Sequence, residues 1–343
     1  MPDLILILVI SIIIIALIFD FTNGFHDSAN AISTVVSTKV LSPQHAVAFA
    51  AFFNFAAAFG FGVLVASTIS KIIQLDIVPA STIPFIVLAG LLGAIAWNII
   101  TWYFGLPTSS SHALIGGLTG AGIAAAGIAA IRLSTLEVIV TYMVLSPIVG
   151  FLIGFIFMVG VLRVSWRSPR FTAERHFKRL QLFSAAAYSF SHGTNDAQKT
   201  MGIITPLLFS IGYYGTSVDP NALPVPLWVI LMAYAAISLG TLFGGWRIVK
   251  TMGYGIFKLR PVHGFAAETA GAATIIGASI FGIPVSTTHI ISSSIMGVGT
   301  TKGVGFVKWG VARRIVIAWI LTIPISAAIA YIIFSTMLLT QVV

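Results

Sequence analysis

Long apolar runs separated by short polar stretches fill the chain. The runs cover residues 4–21, 46–69, 83–104, 113–131 and 137–162, then 182–190, 201–213, 226–246, 263–281, 290–300 and 315–340. The longer ones match the ~20 residues a helix needs to cross a bilayer, and the shorter ones about half of that. Two polar stretches interrupt equivalent places: DFTNGFHDSANAIST at 20–34 and SHGTNDAQKT at 191–200. Both read as helix-breaking. A second kind of interruption occurs twice, as GLPTSSSHALIGGLTGAG at 105–122 and GIPVSTTHIISSSIMGVG at 282–299. Pro107 answers to Pro284, Ser109 to Ser286, Ser110 to Thr287, Ser111 to Thr288 and His112 to His289, at an offset of 177 residues. The stretch Gly24-Phe25-His26-Asp27 aligns with Gly193-Thr194-Asn195-Asp196 at an offset of 169. Two motifs repeating in the same order mark an internal duplication.

Composition fixes the class. Of 343 residues 58% are hydrophobic and 8% charged, with a mean hydropathy of +1.04. Soluble domains carry roughly 25% charged residues. The expectation is an all-α polytopic membrane protein whose solvent is the lipid bilayer, where backbone polar groups must be satisfied internally. The first run resembles a signal peptide only in being apolar. It carries Asp3, lacks a basic leader and has no small-residue cleavage site, so it reads as a retained span. There is no cysteine, which excludes disulfides and thiolate chemistry.

Charge supplies orientation. Residues 1–162 hold three basic and five acidic side chains, and residues 163–343 hold fifteen basic and four acidic. Fourteen of the eighteen Lys and Arg lie in 163–179, 247–260 and 302–314. The positive-inside rule places these three segments in the cytoplasm. Nucleic-acid binding would need a soluble basic domain with stacking platforms, and none is present. One passage out and one back joins the first basic segment to the second. The second and third then bracket 261–301 on one side, which predicts a re-entrant hairpin with Pro284 to His289 at its tip. Three crossings plus one hairpin per half make the halves opposite in orientation. The predicted architecture is a pair of inverted-topology repeats, 1–162 and 181–343, joined by a basic cytoplasmic loop at 163–180. Each repeat carries discontinuous helices and a re-entrant helical hairpin. The chain is expected to be multi-pass in the cytoplasmic membrane, with both termini extracytoplasmic.

Polar residues at membrane depth point to a transport site. Thr108, Ser109, Ser110 and Ser111 follow Pro107, and Ser286, Thr287 and Thr288 follow Pro284. Proline suits the first turn of a helix and Ser or Thr its cap. A half-helix starting here would offer free N–H groups and hydroxyls to an anion. A single serine would read as helix packing; seven hydroxyls in two matched clusters read as a ligand site. Asp27 and Asp196 occupy equivalent positions and read as cation-coupling carboxylates, for a proton or for Na+ with neighbouring carbonyls. Asn30 and Asn195 can donate and accept to the same ligand. Lys199 stands where the first copy has Asn30 and either faces the anion or pairs with Asp196. His26 and His192 suit proton coupling, whereas His112 and His289 read as structural at the hairpin tips. Glu268, whose aligned residue is Leu91, is a candidate proton carrier or else an interhelical hydrogen-bond partner.

Together GFHDSANA (24–31), GLPTSSSH (105–112), SHGTNDAQKTMGII (191–204) and GIPVSTTH (282–289) resemble the inorganic phosphate transporter (Pit) family over essentially the whole chain. The resemblance implies a secondary transporter, generally a homodimer, with no catalytic residues and no resident cofactor. Phosphate would sit between the two hairpin tips and the two Asp/Asn motifs. The sodium-coupled branch usually reads GANDVANA at the first motif. Here His26 replaces its asparagine, which resembles the bacterial low-affinity, proton-coupled branch. That branch carries phosphate partly as a neutral complex with Mg2+ or another divalent ion. Sodium coupling, with Asp27 and Asp196 as metal ligands, is the alternative reading; a sulfate permease or an anion channel is a lesser one. An intramembrane hydrolase fits poorly, because a symmetric duplication supplies no single activated nucleophile.

Overall fold

The structure, a computed structural model, describes residues 2–60, 62–167, 169–215, 218–219 and 222–341. Ser168 in the predicted 163–180 loop, Phe61 in the run at 46–69, and residues 216, 217, 220 and 221 between the runs at 201–213 and 226–246 lie outside the described residues. So do Met1, Val342 and Val343, at the termini predicted to be extracytoplasmic. Among the described residues the chain is helical, and the β-pairing is one isolated bridge between Ile73 and Ile131.

The first half runs α1 (Pro2–Ser37), α2 (Pro43–Ala56), α3 (Leu64–Ser70), α4 (Ile83–Tyr103), α5 (Ser110–Ala126) and α6 (Leu133–Ser165). The second runs α7 (Arg170–Ser210), α8 (Leu227–Phe243), α9 (Trp246–Lys250), α10 (Pro261–Ile280), α11 (Thr287–Thr300) and α12 (Trp309–Leu339). The same order appears twice: a long helix, a bent pair, a hairpin, and a long helix with an internal proline. Pro147 in α6 and Pro324 in α12 hold that last place. Ile5–Ser37, α4, α6 and α12 are each long and apolar enough to cross a membrane, and α2–α3 and α8–α9 qualify as bent pairs. The chain is a multi-pass membrane protein.

The expected helix breaks at 20–34 and 191–200 do not occur. α1 and α7 run through both stretches without interruption. Their glycines serve close packing instead. A Cβ on Gly24 would sit 2.0 Å from the carbonyl oxygen of Ile237 in α8, and one on Gly193 would sit 2.5 Å from that of Asn54 in α2. Glycine costs a helix about 1 kcal/mol, which is less than an unmade backbone hydrogen bond in hydrocarbon. The discontinuities lie elsewhere. A 3-10 turn at Ala57–Phe59 separates α2 from α3, and α8 meets α9 and the π-turn Thr251–Gly255 at a 61° bend. The predicted 163–180 loop is likewise mostly helix, since α6 ends at Ser165 and α7 starts at Arg170. The run at 182–190 and the run from 201 as far as Ser210 therefore belong to one helix.

The hairpins α4–α5 and α10–α11 are built alike. Gly105 (φ +63°) and Gly282 (φ +67°) turn the chain in the left-handed region, where a side chain is strained. Pro107 and Pro284 follow, then the N-caps Ser109 and Ser286 in extended conformation. Each cap Oγ accepts from the backbone N–H three residues on, at His112 (3.3 Å) and His289 (3.2 Å). Residues 110–122 of α5 and 287–299 of α11 are buried throughout. α5 packs on α4 and α12, and α11 on α10 and α6. The second arm of each hairpin is thus seated on the closing helix of the other half.

Candidate functional site

The N-termini of α5 and α11 converge beside the buried middles of α1 and α7. Because α1 stays helical, Asp27 and Asn30 fall one turn apart on one face. The same holds for Asp196 and Lys199 on α7. At Asp27, Oδ1 lies 2.8 Å from His26 Nδ1 and 3.5 Å from Ser110 Oγ, and Oδ2 accepts from Thr288 Oγ1 at 3.3 Å. At Asp196, Oδ1 accepts from Lys199 Nζ at 2.5 Å, and Oδ2 lies 3.3 Å from both Thr287 Oγ1 and His192 Nε2. Lys199 also donates to Ser111 Oγ (2.5 Å) and to the carbonyl of Val285 (3.0 Å). Its three N–H donors are therefore all engaged. Asn30 donates to Thr288 Oγ1 at 2.9 Å, and its Oδ1 is buried without a partner. One ligand atom each from Asp27, His192 and Asp196 lie within 4.8 Å of one another.

This centre gathers Asp27, Asn30, Ser110, Ser111, Asp196, Lys199, Thr287 and Thr288. The other candidates stand around it. Ser109 and Ser286 are occupied as helix caps. Thr108 Oγ1 donates to Thr101 Oγ1 (2.9 Å), which in turn lies 3.2 Å from His26 Nε2, so Thr108 backs the His26–Asp27 pair. Asn195 faces the second hairpin, donating to Ser279 Oγ (2.9 Å) while its Oδ1 accepts from Val285 N (3.4 Å). Glu268 in α10 lies apart from the two aspartates. It accepts from Thr34 Oγ1 (2.5 Å), Gln181 Nε2 (3.1 Å) and Ser184 Oγ, and so ties α1, α7 and α10 together. The rings of His112 and His289 meet edge to face at 4.5 Å between centroids, and His289 stacks on Trp319 at 3.9 Å. They hold the two tips together by packing.

Two residues gain weight from the structure. His192 reaches Asp196 because the two are four residues apart on an unbroken helix, a relation hidden when the stretch reads as a break. Asp20 lies two turns before Asp27 on α1 and is fully buried; period-3.6 spacing carried that signal.

The Phosphate transporter family matches residues 23–330 of the chain. The chain belongs to this family. Its members are transporters and not enzymes. A probable low-affinity inorganic phosphate transporter of Rhizobium meliloti (strain 1021) is 51% identical over 326 residues, covering 94% of each chain. One of Bacillus subtilis (strain 168) is 49% identical over 339 residues, covering 97% of this chain and 99% of the relative. A solved structure described as the sodium-dependent phosphate transporter superposes with a TM-score of 0.85 at 27% identity, over 97% of this chain and 99% of that one. Inorganic phosphate is thus the substrate of the family, and the matched region contains every candidate site residue except Asp20.

Proposed function

We propose that this chain imports inorganic phosphate across the cytoplasmic membrane as a proton-coupled symporter. In this reading 1–162 and 181–343 are inverted repeats joined by a cytoplasmic segment at 163–180, with both termini extracytoplasmic. The two hairpins enter from opposite faces, and the protein works as the homodimer that the resemblance implies. The observation that carries the reading is the convergence of two capped helix N-termini, with Ser110, Ser111, Thr287 and Thr288, on two buried aspartates. Helix N-termini and hydroxyls bind an oxyanion without the permanent buried charge an arginine clamp would leave in the empty carrier.

A phosphate beside Asp27 and Asp196 meets like charge, so cations must accompany it. They also offset the membrane potential, which opposes inward anion movement by ~2.3 kcal/mol per charge per 100 mV. Each motif aspartate lies beside a histidine. His26 Nδ1 lies 2.8 Å from Asp27 Oδ1, a contact that an imidazole with its proton on Nδ1 makes by donating to the carboxylate. Asp196 shares its carboxylate between Lys199 and His192, so a metal ion that binds there must first displace the ammonium. These pairs favour protons as the coupling ion. Where phosphate arrives with a divalent ion such as Mg2+, that ion is cargo, and Asp27, His192 and Asp196 are the group to receive it.

Sodium coupling is the second reading. It is favoured by the fold shared with the sodium-dependent phosphate transporter and makes Asp27 and Asp196 Na+ ligands. The test of substrate is labelled phosphate uptake into proteoliposomes, with sulfate as competitor and magnesium present or absent. Saturable uptake that sulfate leaves intact supports the reading. Uptake blocked by sulfate at equal concentration would move the chain to sulfate transport.

A further inference from the structure

Asp20 is fully buried in α1, and both of its carboxyl oxygens lack a hydrogen-bond partner. The polar side chains that face it are Asn23 on its own helix and Thr200 on α7. The charges of Asp196 and Lys199 act on it from α7, and Tyr234 faces it from α8. Both amide atoms of Asn23 and the hydroxyl of Thr200 are also buried and unpartnered. Asn23 and Thr200 are thus within interacting range of the carboxyl, although none of these five polar atoms makes a hydrogen bond of full geometry. Lys199, the cation that acts on Asp20, directs its donors to Asp196, Ser111 and Val285. An isolated ionised carboxylate at such a place is costly unless something neutralises it.

The duplication separates this cluster from the phosphate centre. At the offset of 169, Asp20 aligns with Ser189, whose hydroxyl bonds the Ala185 carbonyl at 2.8 Å. The second half has no acid there. A dehydrated hard cation takes about six or more oxygens, whereas Asp20, Asn23 and Thr200 offer four. A proton needs fewer partners, and these partners suit it. Amides and hydroxyls both donate and accept. A protonated Asp20 can donate to Asn23 Oδ1 or Thr200 Oγ1, and an ionised one can accept from either.

We propose that Asp20 is a proton-binding site distinct from the phosphate centre, loaded and emptied once per transport cycle. Asn23 and Thr200 serve both of its states. Its charge is felt at Asp196, so a proton on Asp20 favours the arrival of an anion at the α5 and α11 tips, and the anion favours the proton in turn. The transport reading is needed only for this coupling; proton binding at Asp20 stands apart from it.

The test uses the full-length protein reconstituted in liposomes, with Asp20→Asn as a fixed mimic of the protonated carboxyl. Accumulation of phosphate driven by a pH gradient is expected to be lost, while exchange of labelled for unlabelled phosphate at equal pH continues. Infrared spectroscopy of the wild type should show a protonated-carboxyl stretch that fades as pH rises. That band should be missing in Asp20→Asn and present in Glu268→Gln. A second variant, Thr200→Val, removes one donor to the ionised form and should move the pH midpoint of driven uptake upward. An Asp20→Asn protein that accumulates phosphate with the wild-type pH profile, or retains the band, overturns the proposal. A band that responds to Na+ and not to pH does so as well, by assigning the site to sodium. If the wild type moves no phosphate, the transport reading fails, while the infrared titration still decides the proton site.

Discussion

Lys199 Nζ lies 2.5 Å from Ser111 Oγ, and this contact is the counterpart of Asn30 Nδ2 lying 2.9 Å from Thr288 Oγ1. Asn30 and Lys199 are related by the offset of 169, and Ser111 and Thr288 by that of 177. Each long helix therefore reaches across to the other half's hairpin tip. Ser110 with Asp27 and Thr287 with Asp196 form a second matched pair, within each half. The duplication visible in the sequence thus reappears as matched contacts in the site, broken where an amide is replaced by an ammonium and where Asp27 takes its histidine from His26 but Asp196 from His192.

That replacement makes Asp196 and Lys199 mutually dependent. Both are buried, and breaking one side of a buried ion pair costs about 3–5 kcal/mol. Lys199→Gln is expected to lower the unfolding temperature of the purified protein clearly. Adding Asp196→Asn should recover most of the loss without restoring uptake. A Lys199→Gln protein as stable as the wild type would mean that His192 alone satisfies Asp196. Asp27→Asn, which leaves no lysine unpaired, should stay folded and lose driven uptake.

In the proposed reading neighbouring serines divide between cap and ligand. Ser109→Ala removes a helix cap and should cost about 1 kcal/mol of stability, with little change in phosphate affinity. Ser110→Ala and Thr287→Ala each remove a hydroxyl beside the proposed anion site, and a hydrogen bond to a charged group is worth about 1.5–3 kcal/mol. Phosphate affinity should fall about tenfold or more in these two, with stability retained. Equal affinity losses at Ser109 and Ser110, measured by titration of the purified protein, would remove the distinction.

Glu268 collects three donors from two other helices. Truncation in Glu268→Ala leaves the Thr34 hydroxyl and the Gln181 amide without this acceptor, at roughly 1–3 kcal/mol for an unsatisfied group, while Ser184 keeps the Gln181 carbonyl at 3.1 Å. Glu268→Gln keeps the shape and an acceptor oxygen, and should stay within about 1 kcal/mol of the wild type. Thermal unfolding of both variants checks this. Equal destabilisation by the two would show that charge, and not shape, holds α1, α7 and α10 together at this point.

The hairpins were the most legible part of the chain, because proline followed by a capping serine is a local signal. Ser109 and Ser286 take up the cap positions that the sequence pattern indicates. The long helices defeat the local sequence pattern for a physical reason. Glycine, asparagine and aspartate disfavour a helix in water, but in α1 and α7 they mark close helix packing at Gly24 and Gly193 and carry the polar site. The contact of His192 with Asp196 is hidden with these helices, since the two are neighbours only on a helix, whereas Lys199 stands out as a partner of Asp196 from the sequence. Contacts between the halves, such as Thr288 to Asp27, lie 261 residues apart and follow from no local pattern.

The most direct test of proton-coupled phosphate import imposes one gradient at a time on proteoliposomes and measures phosphate accumulation. An inward pH gradient without sodium is predicted to drive accumulation above equilibrium, and a sodium gradient at constant pH to drive none. Accumulation that requires the sodium gradient and ignores pH would contradict the account and turn Asp27 and Asp196 into sodium ligands.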